Sequence, residues 1–71
     1  IKATFVLTQY HGSIYISARS IDEINVQRIM ERMGGGGHLS VAGSQLENTT
    51  IEEAIRRLKE TIDDMMEKGE I

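Results

Sequence analysis

The stretch Gly34-Gly35-Gly36-Gly37-His38 lies between a segment with helical apolar spacing and a run of small residues. Glycine tolerates positive φ and lets a ligand approach the main chain without a Cβ in the way, at an entropic cost to folding. A turn needs only one or two such residues. Because successive backbone N–H groups can form a nest for an anion, the stretch predicts a phosphate-binding loop. A flexible loop that binds nothing is the alternative.

Two segments before the loop alternate in the way that half-buried strands do. These are residues 2–8 and residues 13–19, and Gly12 between them supplies a turn position, so the two segments predict a hairpin. One face of the second segment is apolar and carries Ile14 and Ile16. The other face is polar and cationic, with Tyr15, Ser17 and Arg19. We expect this second face to stay uncovered and to meet another domain or a ligand.

Two apolar stripes with helical spacing predict two helices. The first begins either at Asn25 or at a capping box that starts at Ser20, and Gly34 ends it. Its stripe consists of Val26, Ile29, Met30 and Met33. The second helix opens at the cap residue Thr50. Its stripe consists of Ile51, Ala54, Ile55, Leu58, Ile62, Met65 and Met66.

The order of these elements predicts an α+β fold, β-β-α-β-α, in a single domain that spans residues 1–71. Residues 44–47 are expected to form a third strand, parallel to the second because a right-handed crossover through the first helix would connect them. The result would be a small three-stranded mixed sheet with both helices packed on one face. The sequence begins at Ile1 rather than at a methionine, so we expect a piece of a longer chain.

Composition limits the classes of function. The chain has no cysteine, proline or tryptophan, and no apolar run approaches the length of a membrane span, so we expect no membrane contact by this segment. Residues 1–46 carry four basic and three acidic residues, whereas residues 47–71 carry eight acidic and four basic ones. An acidic C-terminal half does not suit a surface that follows a phosphate backbone, so long duplex nucleic acid is not an expected partner.

Common phosphate-binding and metal-binding motifs do not fit the loop. A Walker A loop needs a lysine after its spacer, and the chain has none between Lys2 and Lys59. The dinucleotide fingerprint fails because its third glycine would fall on Leu39 or Ser40. With two histidines and no cysteine, the chain predicts no metal site of its own. A glycine-rich backbone with an adjacent imidazole is what is left, and His38 either donates to a phosphate or serves the structure of the loop.

The residues of the loop resemble a known family. Gly-Gly-Gly-Gly-His followed by Leu-Ser-Val-Ala-Gly resembles the C-terminal DHH-associated domain of the DHH phosphoesterase superfamily, whose signature is a GGGH loop, two variable residues and a small Ala/Gly cluster. Ser17-Ala18-Arg19-Ser20 before Ile24-Asn25-Val26-Gln27 looks most like the cyclic-di-AMP phosphodiesterases of Gram-positive bacteria, which hydrolyse the cyclic dinucleotide to linear pApA. Val41 departs from the Ala-Ala-Gly that is common elsewhere in the superfamily.

The resemblance implies that catalysis and substrate binding lie in different domains of one polypeptide. A DHH domain of the same polypeptide would carry catalysis and a manganese pair, so this segment alone would be inactive and would bind substrate, a cyclic dinucleotide or a short oligonucleotide. The residues that match the motif would hold phosphate or nucleotide, and they are Gly35, Gly36, Gly37, His38, Arg19 and Ser17. The resemblance also implies that this segment lies in the cytoplasm. In related proteins the full-length chain is anchored in the membrane and faces the cytoplasm.

Three alternatives stay open at this point. The same domain could belong to an oligoribonuclease, an exonuclease or a pAp phosphatase of the superfamily. It could also be a non-enzymatic sensor of a small ligand. The third alternative is a homodimerisation unit that uses the long helix.

Overall fold

The computed structural model describes residues 3–20, 24–38 and 41–70. The elements are, in chain order, β1 (Ala3–Tyr10), β2 (Ser13–Ser20), α1 (Val26–Arg32), β3 (Gly36–Gly37), β4 (Val41–Glu47) and α2 (Ile51–Glu67). Four strands form one sheet in the order β1-β2-β4-β3. The predicted α+β fold is therefore confirmed, with one strand more than expected.

The predicted hairpin is formed by β1 and β2, which pair antiparallel in an unbroken register. Its two-residue loop holds His11 at φ 50° and Gly12 at φ 77°. Positive φ at both central positions is the mark of a type I′ turn, whose twist matches that of the flanking strands. The expected start of the first strand, Lys2, lies outside the described residues.

The predicted direction of the last strand is wrong. β4 pairs antiparallel with β2, and β3 pairs antiparallel with β4, so every pairing in the sheet is antiparallel and the sheet is not mixed. The crossover through α1 does lead to a strand that runs in the direction of β2, but that strand is β3. Because β3 has only two residues, both glycine, it has no side-chain pattern from which a strand could be predicted.

The core lies between one face of the sheet and the two helices, as predicted. Its buried members come from β2, both helices, the C-cap of α1 and β4: Ile14, Ile16, Ala18, Val26, Ile29, Met30, Met33, Ala42, Leu46, Ala54, Leu58, Ile62 and Met65. The stripe of α2 is narrower than predicted, since Ile55 is 37% exposed and Met66 is 53% exposed. A helix turns about 100° per residue, so a side chain next to the buried row can lie outside the contact with the sheet.

Side-chain caps fix where both helices begin. The Asn25 side chain accepts a hydrogen bond from the backbone N–H of Arg28, and Thr50 does the same for Glu53. Each cap satisfies a backbone donor that the first helical turn leaves without a partner. Asn25 is therefore the observed start of α1, while residues 21–23 of the alternative capping box lie outside the described residues.

An ion pair joins the two helices at their C-terminal halves. The Arg32 guanidinium binds Asp64 at 2.7 Å and Glu70 at 3.1 Å, and the Lys68 ammonium lies 3.2 Å from Asp64. Hydrogen bonds from Arg32 and then Lys68 hold the pKa of the Asp64 carboxyl below its ordinary value. The stabilisation is therefore present above that ordinary pKa and is lost as the pH falls through the lowered one. Because the groups are partly exposed, solvent screens the pair and its effect is small.

Ser44 ties β4 to the end of α1. Its buried hydroxyl donates a 2.7 Å hydrogen bond to the backbone carbonyl of Met33, the last residue before the glycine loop. This carbonyl is one of those that a helix terminus leaves without an intrahelical partner. The bond therefore holds the start of the glycine loop against the sheet.

We predict that Ser44→Ala lowers the free energy of unfolding by about 1–3 kcal/mol, because a buried carbonyl loses its donor. Urea denaturation followed by circular dichroism measures the loss. Ser17→Ala, at an exposed position of the neighbouring strand, is the matched control and should change stability by less than about 0.5 kcal/mol. Equal losses in the two variants would contradict the role assigned to Ser44.

Candidate functional site

The first two glycines of the loop terminate α1. Gly34 adopts φ 87°, and its N–H donates to the carbonyl of Glu31 at 3.2 Å. The N–H of Gly35 donates to the carbonyl of Met30 at 2.8 Å. This pair of bonds is the Schellman motif, in which a residue with positive φ follows the helix cap. The backbone donors of Gly34 and Gly35 therefore serve the helix end and are not available to a ligand.

Gly35 and Gly37 are packed directly against the backbone of β4. A Cβ on Gly35 would lie 2.0 Å from the carbonyl oxygen of Gly43, and a Cβ on Gly37 would lie 2.5 Å from the Cα of Ala42. Gly37 also adopts φ 145°, a region that side chains disfavour. The fold itself therefore requires glycine at both positions.

Gly36 differs from its neighbours because nothing lies within 4 Å of the place that its Cβ would take. Gly36 lies opposite Gly43 in the register of β3 and β4, and Gly37 lies opposite Ala42. The backbone N–H of His38 donates to the carbonyl of Val41 at 2.7 Å. Hydrogen-bonded and non-bonded pairs alternate in an antiparallel ladder. Gly36 is therefore bonded to β4, whereas the N–H and C=O of Gly37 point to the outer edge of the sheet.

The loop is thus not the nest of consecutive free amides that the sequence suggested. Four of its five N–H groups, those of Gly34, Gly35, Gly36 and His38, are bonded to carbonyls of the protein. The loop offers two other features to a ligand. They are the N–H of Gly37 at the sheet edge and the bare backbone at Gly36.

The sheet brings the predicted polar residues beside this bare backbone. Arg19 pairs with Val41, which in turn is bonded to His38. In the adjacent row of the same face, Ser17 pairs with Gly43, which pairs with Gly36. Neighbouring strands lie about 4.8 Å apart, so Arg19 and His38 are separated by roughly 10 Å across the sheet. Both rows lie on the face that the helices leave uncovered.

A concave pocket of about 570 Å³ occupies this end of the uncovered face. Its lining residues are Thr4, Val6, Ser17, Ala18, Arg19, Val41 and Ala42. The side chains of Ser17 and Arg19 are exposed, and neither forms a hydrogen bond or an ion pair with another residue in the described ranges. A guanidinium without a carboxylate partner keeps all its donors available to an anion.

This surface offers the chemical groups that an anion with an apolar or planar substituent would contact. Arg19 supplies a fixed positive charge and Ser17 a hydroxyl, while the exposed residue His38 lies two strand positions from Arg19, bonded through its backbone to Val41. The glycine pair Gly36 and Gly43 leaves the backbone uncovered between these groups, so that a flat group can lie against the sheet. Val41 adds an apolar surface that is 48% exposed.

The structure thus groups four of the six predicted site residues on one face: Ser17, Arg19, Gly36 and His38. Gly35 and Gly37 have structural tasks, and whether they touch a ligand stays a prediction. Sequence reasoning missed Gly43 as part of the surface, although its place in the small-residue run was the available signal. Its partner across the sheet could not be predicted without the direction of β4.

Two further classes of feature are missing from the described part of the chain. Within residues 3–20, 24–38 and 41–70, no group of three or more histidine, aspartate or glutamate side chains could hold a metal ion. Over the same ranges, no helix combines the length and the apolar character needed to cross a membrane.

Comparison with known proteins identifies the family of the chain. The sequence profile of the DHHA1 domain matches residues 1–68. The chain belongs to the DHHA1 domain family. The end of α1, the glycine strand β3 (Gly36–Gly37) and β4 are therefore parts of a DHHA1 domain, which agrees with the resemblance seen in the loop.

Similar curated proteins include two cyclic-di-AMP phosphodiesterases. The DHHA1 domain described here is 49% identical over 70 residues to GdpP of Geobacillus thermodenitrificans, covering 97% of this chain and 11% of that protein. It is 52% identical over 64 residues to PdeA of Listeria monocytogenes, covering 89% of this chain and 10% of that protein. The chain therefore spans about a tenth of the length of these relatives.

A solved structure shares the fold. The pGpG-specific phosphodiesterase PggH of Vibrio cholerae superposes with a TM-score of 0.65 at 22% sequence identity, covering 90% of this chain and 23% of that chain. The two proteins thus share this fold.

The different tasks of the glycines lead to a prediction about stability. Gly35→Ala and Gly37→Ala should each lower the free energy of unfolding by about 1–3 kcal/mol or more, because the added methyl group meets rigid backbone. Gly36→Ala is the matched control and should change it by less than about 0.5 kcal/mol. Denaturant titration of the three variants provides the measurement. A loss for Gly36→Ala as large as the other two would refute this division of roles.

Proposed function

We propose that this chain is the substrate-binding domain of a DHH-family phosphodiesterase and that it holds the phosphate and nucleotide of a cyclic dinucleotide of the cyclic-di-AMP type. The observation that carries the proposal is the juxtaposition of Arg19, Ser17 and His38 around the bare backbone of Gly36. The names of the relatives GdpP and PdeA support the choice of substrate.

In this proposal Arg19 binds a phosphate group through a charge-assisted hydrogen bond, and Ser17 donates to the same group or to the attached sugar. His38 and the edge N–H of Gly37 bind a second anionic group roughly 10 Å away, a distance that two strand spacings set. The open backbone at Gly36 and Gly43 accommodates the part of the nucleotide between them. Gly35 acts behind this surface, since its close packing fixes the position of the glycine strand.

The proposal assigns no chemical step to the residues described here. Binding fixes the orientation of the scissile phosphodiester, and such positioning is a large part of what phosphoryl transfer requires of a protein. A manganese pair, when bound in a DHH domain elsewhere in the polypeptide, would supply the activated water and charge neutralisation. We propose that this DHH domain is the partner of the uncovered face. Because the proposed substrate is a cyclic dinucleotide, both domains would lie in the cytoplasm.

Titration of the isotopically labelled protein with cyclic-di-AMP and with pApA tests the proposal. Amide shifts are expected at Arg19, at the glycine strand and at Val41. Arg19→Gln should weaken binding by about 10–100-fold because a hydrogen bond to a charged group is lost. Arg28→Gln removes an exposed arginine from the helix layer and is the matched control, expected to change affinity by less than about twofold.

Gly36→Ala tests the bare backbone separately from the charge. Its methyl group would project onto the uncovered face, so binding should weaken while the thermal unfolding midpoint stays near that of the wild type. Shifts confined to α2, or equal affinities for the Arg19→Gln and Arg28→Gln variants, would overturn the proposed function.

A further inference from the structure

β1 is an edge strand without the features that normally protect an edge. It runs for eight residues, Ala3–Tyr10, and contains no charged residue and no proline. Its register with β2 is continuous, so no bulge twists it away. Natural sheets protect exposed edges with lysines, prolines, bulges or very short strands. The opposite edge of the sheet obeys this rule, since β3 has only two residues.

The turn of the hairpin determines which backbone groups of β1 face outwards. In a two-residue hairpin, the carbonyl of Tyr10 accepts from the N–H of Ser13, so the alternation of bonded pairs can be counted from this turn. Every second residue from Tyr10 is bonded to β2. The N–H and C=O groups of the other residues of β1, namely Ala3, Phe5, Leu7 and Gln9, point outwards, and no described strand pairs with them.

These outward groups match a second copy of the same strand. An antiparallel pairing that is centred on Val6 places Phe5 opposite the partner's Leu7 and Thr4 opposite the partner's Thr8. In this register the outward-pointing residues form the hydrogen-bonded pairs, and Val6 meets the partner's Val6 in a non-bonded pair. Apolar and Thr–Thr pairs across strands are stabilising, and no like charges meet.

The apolar surface beside this edge continues onto α2. Asp64 lies on the side of α2 that faces α1, because its carboxylate binds Arg32. At about 100° per residue, Ile55 and Met66 lie on the opposite side of the helix, the side away from α1. Phe5 and Leu7 of β1, on the sheet face that the helices cover, are only half-buried. The edge of β1 and this flank of α2 thus present one apolar surface.

We propose that a second copy of this chain covers that surface, with β1 paired antiparallel to its own copy across a two-fold axis at Val6. The two four-stranded sheets then join into one continuous sheet, and the α2 flanks approach each other on the helix side. A two-fold interface uses the same patch on both subunits. The register centred on Val6 meets this condition, because each residue pair across the axis occurs twice. This inference does not depend on the proposed function.

A disulfide trap tests the register. The chain contains no cysteine, so Val6→Cys introduces a single thiol. In a non-bonded antiparallel pair the two Cα atoms lie about 4.5 Å apart, within the range that a disulfide spans. Under mild oxidation the V6C variant should form covalent dimers at least about tenfold faster than V41C, because pairing raises the local concentration of the thiols. Val41 is the matched control, since it is 48% exposed on the same face against 55% for Val6.

Sedimentation of the unmodified protein supplies the independent measurement. The wild type is expected to dimerise with rising concentration, and Val6→Lys should raise the dimer dissociation constant by at least about 100-fold, since two ammonium groups would meet at the axis. Val41→Lys adds the same charge away from the edge and should change it by less than about threefold. A monomeric wild type at millimolar concentration, or cross-linking of V6C no faster than that of V41C, would overturn the proposal.

Discussion

The close backbone contact between the glycine strand and β4 is the constraint on which the rest of this structure depends. Gly35 and Gly37 approach Gly43 and Ala42 at distances that leave no room for a Cβ. This contact ends the crossover from α1 at the sheet edge and reverses the chain, so that β4 returns between β3 and β2. The same contact places His38 beside Val41, and through it beside Arg19.

Much of the fold could be predicted because it is encoded locally. The type I′ turn, the caps at Asn25 and Thr50 and the apolar stripes each depend on residues that are close in sequence. The direction of β4 could not be predicted in this way. It depends on β3, which carries no side chains, so neither a period of two nor a β-forming composition indicated it.

The candidate site was predictable to a similar extent. Alternation along β2 correctly placed Ser17 and Arg19 on the uncovered face. The separate roles of the glycines could not be predicted, because four consecutive glycines look alike in sequence. Only long-range contacts separate Gly36, whose Cβ position is empty, from Gly35 and Gly37, which the fold requires. A run of free amides was therefore expected where the structure has a helix end and a strand.

The exchange rate of each amide proton in the loop, measured by NMR in D₂O, tests the pairing of β3 with β4. Amides that are bonded in a ladder exchange slowly, and those at an open edge exchange fast. The amides of Gly35, Gly36 and His38 should be protected, whereas that of Gly37 should exchange rapidly. Rapid exchange at all four positions would contradict the pairing of the glycine strand with β4, and the arrangement of the candidate site would have to be abandoned.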